Sequence, residues 1–133
     1  MLNNATYMSD THILLIEDDQ FLRDMYAELL ADEGYLVDTS GDGYDGFIKL
    51  QHGAYSLVLL DIMLPKMDGL QILRRARDNN LLAKHGPIVL LSNLGQDDIV
   101  KQGFELGAAG YLIKSALTPD QVLHEIRIFL HRS

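Results

Sequence analysis

Short apolar runs alternate with helical patterns along the whole chain. His12 to Ile16 is an apolar run that stops at Glu17-Asp18-Asp19. Leu22, Met25, Tyr26, Leu29 and Leu30 then recur with the spacing of one helix face. Gly34 is a suitable helix stop, since glycine tolerates positive φ. Tyr35 to Thr39 reads as a weaker second strand and Asp42 to Gln51 as a second helix. Ser56 to Leu60 is a third strand that closes on Asp61. Pro65 and Gly69 bracket a loop, and Leu70, Leu73 and Ala76 mark a third helix. Pro87 to Leu91 is a fourth strand ending at Ser92, and Gln96 to Glu105 a fourth helix. Ala109 to Ile113 is a fifth strand ending at Lys114. The last helix is the best marked. Thr118 suits the N-cap, Pro119 the first helical position, and Gln121 completes a capping box.

Continuous apolar strands alternating with helices predict an α/β domain with a parallel sheet covered on both faces. The length of 133 residues fits one such domain, expected over 12–133 after a short N-terminal leader at 1–11. No second domain is expected after the last helix. The leader has neither a basic residue nor an apolar stretch, so it does not read as a secretory signal. No apolar run approaches the ~20 residues of a membrane helix. Membrane insertion is therefore not expected, and the cytoplasm is the default location. The net charge of -8 repels phosphate backbones and argues against direct nucleic-acid binding. The absence of cysteine excludes disulfides and thiolate chemistry.

The polar residues that end the strands form an unusual set. In open parallel sheets the ligand site lies beyond the carboxyl ends of the strands. Glu17 and Asp18, Asp61, Ser92 and Lys114 each break an apolar run at that rim. Each has an ordinary explanation alone: Asp18 or Asp19 could cap a helix, Ser92 could serve a turn, Lys114 could be solvated. Together, three carboxylates at one rim are unfavourable unless a cation joins them. Hard oxygen donors favour Mg²⁺ over zinc. Lys114 adds a fixed positive charge and Ser92 a hydroxyl, an inventory suited to holding a phosphoryl group.

In order and spacing these pieces resemble a response-regulator receiver domain of two-component signal transduction, over residues 12–131. The resemblance rests on Ile13-Leu14-Leu15-Ile16-Glu17-Asp18-Asp19 and on Leu57-Val58-Leu59-Leu60-Asp61-Ile62-Met63-Leu64-Pro65 with Met67-Asp68-Gly69. It continues through Ile88-Val89-Leu90-Leu91-Ser92 and Gly107-Ala108-Ala109-Gly110-Tyr111-Leu112-Ile113-Lys114. It implies a flavodoxin-like, doubly wound five-stranded sheet of order 2-1-3-4-5 with five helices.

It also implies a phosphoprotein that is not an ordinary enzyme, in which Asp61 takes a phosphoryl group from a sensor histidine kinase or histidine phosphotransfer protein. Asp18, Asp61 and the backbone carbonyl of Met63 would ligate Mg²⁺, with Glu17 acting through water. Ser92 would bind a phosphoryl oxygen. Lys114 would pair with Asp61 before modification and with the phosphoryl group afterwards. Tyr111 matches an aromatic switch position, and equally suits an amphipathic tyrosine at the core edge. The surface expected to change is that of the fourth helix, fifth strand and fifth helix, around Ile99, Tyr111 and His124. A stand-alone receiver that passes its signal to a downstream protein there is expected, and a role as a phosphorelay intermediate or phosphate sink is equally compatible.

Two positions depart from the family pattern. Lys114 is followed by Ser115, where the family has a proline often in a cis bond; the loop either tolerates strain or takes another path. Asn93 stands where a small residue is usual, which predicts an altered acyl-phosphate lifetime.

Rival readings remain. A receiver-like interaction module without phosphorylation fits the same chain. Gly41-Asp42-Gly43-Tyr44-Asp45-Gly46 satisfies a dinucleotide-binding pattern, but its aspartates would oppose a pyrophosphate and no substrate domain accompanies it. Asp38 to Gly43 begins like a calcium loop, yet Lys49 holds the place of its final glutamate. An aspartyl-phosphate phosphatase would want an acid where Met63 stands. The histidines at 12, 52, 85, 124 and 131 are scattered and read as solvated or rim residues.

Overall fold

The computed structural model describes residues 10–131. The expected leader therefore lies, up to residue 9, outside the described residues. Five strands form one parallel sheet: β1 (His12–Ile16), β2 (Leu36–Ser40), β3 (Leu57–Asp61), β4 (Ile88–Ser92) and β5 (Gly110–Ile113). Five α-helices connect or follow them: α1 (Gln20–Asp32), α2 (Gly43–His52), α3 (Gly69–Asp78), α4 (Asp97–Glu105) and α5 (Pro119–Leu130). The strand order is β2-β1-β3-β4-β5, the flavodoxin-like order. A short 3₁₀ turn at Leu82–Lys84, not expected from the sequence, precedes β4.

The period of two along each strand sorts the core into two layers. Ile13, Leu15, Leu57 and Leu59 pack with Tyr26 and Leu30 of α1 and Val122, Ile126 and Phe129 of α5. Leu14, Ile16, Val58 and Leu60 face Phe47, Leu50, Ile72, Leu73 and Val100 of α2, α3 and α4. Both faces are thus buried, as the unbroken apolar runs require.

Aspartates and a threonine start four of the helices. Asp19, Asp42, Asp68 and Thr118 accept backbone N–H bonds at α1, α2, α3 and α5, the last two in full capping boxes. The α4 helix starts at Gln96 without a side-chain cap. Asp97 and Asp98 lie in its first turn, where negative charge suits the helix dipole. Strand β2 runs one residue later than expected. The Tyr35 N–H still bonds to Leu30 O at 3.3 Å, closing α1, and the Glu17 N–H reaches Ser40 O at 3.0 Å, extending the ladder.

The glycine-rich stretch before α2 serves packing. A Cβ at Gly43 would lie 1.5 Å from the Met67 carbonyl oxygen, and one at Gly46 2.7 Å from Ile16 Cδ1. The helix start is thereby pressed against the β3–α3 loop, with Gly43 N–H bonded to Pro65 O at 3.1 Å. These close approaches account for two of the three glycines of the dinucleotide-like pattern.

His85, expected to be a solvated or rim residue in a loop, is held by the backbone around it. It is partly buried; its Nδ1 accepts from the Tyr55 N–H and its Nε2 meets Leu50 O, both at 3.0 Å. Those two contacts fix the neutral ring with its proton on Nε2. Burial depresses the His85 pKa, as does neighbouring Lys84, against the opposing bond to Leu50. No helix among the described residues is long and apolar enough to cross a membrane.

Candidate functional site

Three strand ends carry the centre of the site. Glu17 follows β1 directly and is fully buried; Asp61 closes β3 and is 2% exposed. Lys114 follows β5, its N–H bonded to Ser92 O at 2.9 Å. Its ammonium reaches back over the rim. Nζ lies 2.9 Å from Asp61 Oδ2 and 2.8 Å from Glu17 Oε1. The pair with Asp61 was expected from the sequence; the equally close pair with Glu17 was not. No peptide bond among the described residues is cis. The loop after Lys114 takes the other path, a turn in which the Ala116 N–H bonds Ile113 O at 3.1 Å.

One lysine between two buried carboxylates leaves an excess negative charge. Burial pushes the Asp61 pKa up to about 7, assisted by its contact with Glu17 and opposed by Lys114. Burial also pushes Glu17 up. Its hydrogen bonds with Asp61, Lys114 and the Asp19 N–H outweigh that and hold it below the usual value. Lys114 is raised, since its two carboxylate partners prevail over burial. Glu17 and Asp61 thus compete for the one charge of Lys114, and a further cation beside them would favour the ionised form of both.

The donor set fits such a cation. Exposed Asp18 lies beside the buried pair, and one oxygen each of Glu17, Asp18 and Asp61 lie within 4.8 Å of one another. Hard oxygen ligands with an open solvent side suit Mg²⁺, which keeps several waters. Asp19, by contrast, is the α1 cap: its Oδ1 accepts from the Leu22 N–H at 3.0 Å.

The remaining predicted residues follow β3, end or follow β4, or lie on α4, β5 and α5. The Met63 N–H donates to Asp61 Oδ1 at 3.1 Å, so both carboxylate oxygens of Asp61 are held. The Met63 side chain is exposed. Ser92 is buried at the end of β4, next to Leu91, the residue paired with Asp61. Asn93 is exposed, and its N–H donates to Gln96 Oε1 at 2.6 Å. Ile99 helps line a 240 Å³ cavity with Ile62, Met63, Leu64, Asp68 and Leu70. Tyr111 is 44% exposed and meets Phe104 of α4 edge to face, with ring centres 6.1 Å apart. His124 is exposed on α5.

Arg23 was not singled out from the sequence. Its Nη1 donates to Glu17 O at 2.9 Å and Asp18 O at 3.3 Å. A signal was present: a cation in the first turn of a helix opposes the helix dipole and calls for a compensating contact.

A family model described as "Response regulator receiver domain" matches residues 13–127. The transcriptional regulatory protein DltR of Streptococcus agalactiae is 40% identical over 121 residues, covering 91% of this chain and 52% of that protein. HprR of Escherichia coli, also a transcriptional regulatory protein, is 40% identical over 102 residues, covering 77% of this chain and 44% of that protein. The chain thus spans about half the length of these curated relatives. Among solved structures, a CheY-like receiver domain protein from Methanospirillum hungatei superposes with a TM-score of 0.81 at 26% identity. That match covers 90% of this chain and 93% of the other.

Proposed function

Since the chain belongs to the response regulator receiver family of two-component systems, we propose that Asp61 is its phosphoacceptor and that Glu17, Asp18, Asp61 and the Met63 carbonyl hold Mg²⁺. The observation that carries this reading is the Lys114 ammonium bridging buried Glu17 and Asp61 beside solvent-open Asp18. In the reaction, a carboxylate oxygen of Asp61 attacks the phosphorus of a phosphohistidine. The P–N bond breaks, its electron pair stays on the imidazole nitrogen, and that nitrogen takes up a proton. The donor is a histidine kinase or phosphotransfer protein, and a small acyl phosphate can replace it. Mg²⁺, when bound, offsets negative charge on the carboxylates and the transferring group.

Lys114 then moves from the Asp61 carboxylate to the phosphoryl oxygens, and the Ser92 hydroxyl donates to another. The modification adds about -1.5 to -2 charge and new acceptors, so Ser92 has a partner that the unmodified state lacks. Tyr111 turns inward as Ser92 shifts, which alters the face of α4, β5 and α5 that a downstream protein reads. Asn93 begins the loop after Ser92 and tunes the lifetime of the acyl phosphate. The unit proposed to do this is the span 12–133, acting in the cytoplasm through protein contacts rather than direct nucleic-acid contacts. Its net charge of -8 supports that choice of partner.

Intact mass after incubation with acetyl phosphate and Mg²⁺ tests the reading. The wild type should gain one phosphoryl group and Asp61→Asn none. No gain in the wild type, or an equal gain in the variant, would overturn it in favour of a non-phosphorylated interaction module.

A further inference from the structure

Arg23 is partly buried in the first turn of α1, where its charge opposes the helix dipole. Its guanidinium bends back over the β1–α1 loop. One nitrogen, Nη1, donates to the carbonyls of both Glu17 and Asp18. The neighbouring chain makes room for it. A Cβ on Gly41, just after β2, would lie 3.0 Å from that nitrogen. Gly41 is not among the positive-φ glycines, so the residue supplies space there rather than a special backbone angle.

The loop is otherwise fixed mainly at its ends. The Glu17 N–H bonds to Ser40 O, and the Asp19 N–H bonds to Glu17 Oε2 at 3.1 Å. The Asp18 carboxylate stands exposed between these anchors. A ligand on a loose loop must be ordered when metal binds, at a cost in affinity. We infer that Arg23 is a positioning residue: by tying down the carbonyls of Glu17 and Asp18 in the space left by Gly41, it preorganises the carboxylates that hold Mg²⁺. This rests on the metal reading of the acidic site.

Charge and geometry predict opposite signs, which makes the inference testable. A nearby guanidinium repels Mg²⁺, so loss of charge alone would tighten binding. Arg23→Lys keeps the charge and loses the bridging geometry. Calorimetric titration with Mg²⁺ should show binding weakened on the order of threefold to tenfold in Arg23→Lys, at or below the low end for partners that orient metal ligands. Gly41→Ala, which crowds the guanidinium, should weaken binding less. It should add nothing when placed in Arg23→Ala, because the group it displaces is gone.

Phosphorylation by acetyl phosphate gives a second readout. The half-saturating Mg²⁺ concentration should rise in Arg23→Lys, while the maximal rate at saturating Mg²⁺ stays at the wild-type value. A purely structural role would lower the melting temperature without that split. Unchanged or tighter Mg²⁺ binding in Arg23→Lys, with normal binding in the wild type, overturns the inference and leaves the metal reading standing. Failure of the wild type to bind Mg²⁺ overturns both.

Discussion

Lys114 shows most directly how a single side chain sets the chemistry of its neighbours. Among the described residues it is the cation within ion-pair distance of Glu17 and Asp61, and its own side chain is only 11% exposed. Replacing it with methionine preserves length and removes the charge. Two buried carboxylates would then face each other without compensation, an arrangement that costs about 3 kcal/mol when one partner of a buried pair is removed. Urea unfolding near pH 8 without Mg²⁺ should show that loss, and added Mg²⁺ should restore more stability to Lys114→Met than it adds to the wild type. Equal midpoints for the two proteins without metal would show that Lys114 does not compensate the pair.

The elements were legible in the sequence to the extent that their signals were local. Apolar runs marked all five strands, and the Thr118-Pro119-Gln121 start of α5 appeared as its capping chemistry dictated. The rim residues Glu17, Asp18, Asp61 and Lys114 were legible because each ends an apolar run. The Glu17–Lys114 contact was not, since it depends on how β1, β3 and β5 align across the sheet. Arg23 escaped for a similar reason: its partners are backbone carbonyls, which residue identity does not display. The contacts of His85 were not legible, because a histidine in a loop carries no local mark of its backbone partners.

At the element scale His85 joins the loop before β4 to the ends of α2 and β3 through Leu50 and Tyr55. Its pKa is lowered in the folded chain, so folding favours the neutral ring. That contribution is present above the unfolded value of about 6.5 and is lost as pH falls through the folded value. The urea midpoint of the wild type should therefore drop more than that of His85→Gln between about pH 7.5 and pH 5.5. The difference should be less than about 1 kcal/mol, since the ring is only partly buried and solvent screens it. Parallel pH profiles would remove His85 as the source.

For the whole molecule, the parallel topology has a consequence in time. Lys114 closes contacts across 97 residues to Glu17 and 53 to Asp61. Such distant contacts form only after the intervening chain has been ordered. An unfinished polypeptide on the ribosome can display both carboxylates, but not the lysine that balances them. On the proposed reading, competence to receive a signal is therefore acquired last, and incomplete chains are silent. Ribosome-bound chains stalled at increasing lengths and exposed to acetyl phosphate should become modified only once β5 and Lys114 have left the exit tunnel. Modification of shorter chains would separate the chemistry of Asp61 from the completion of the sheet.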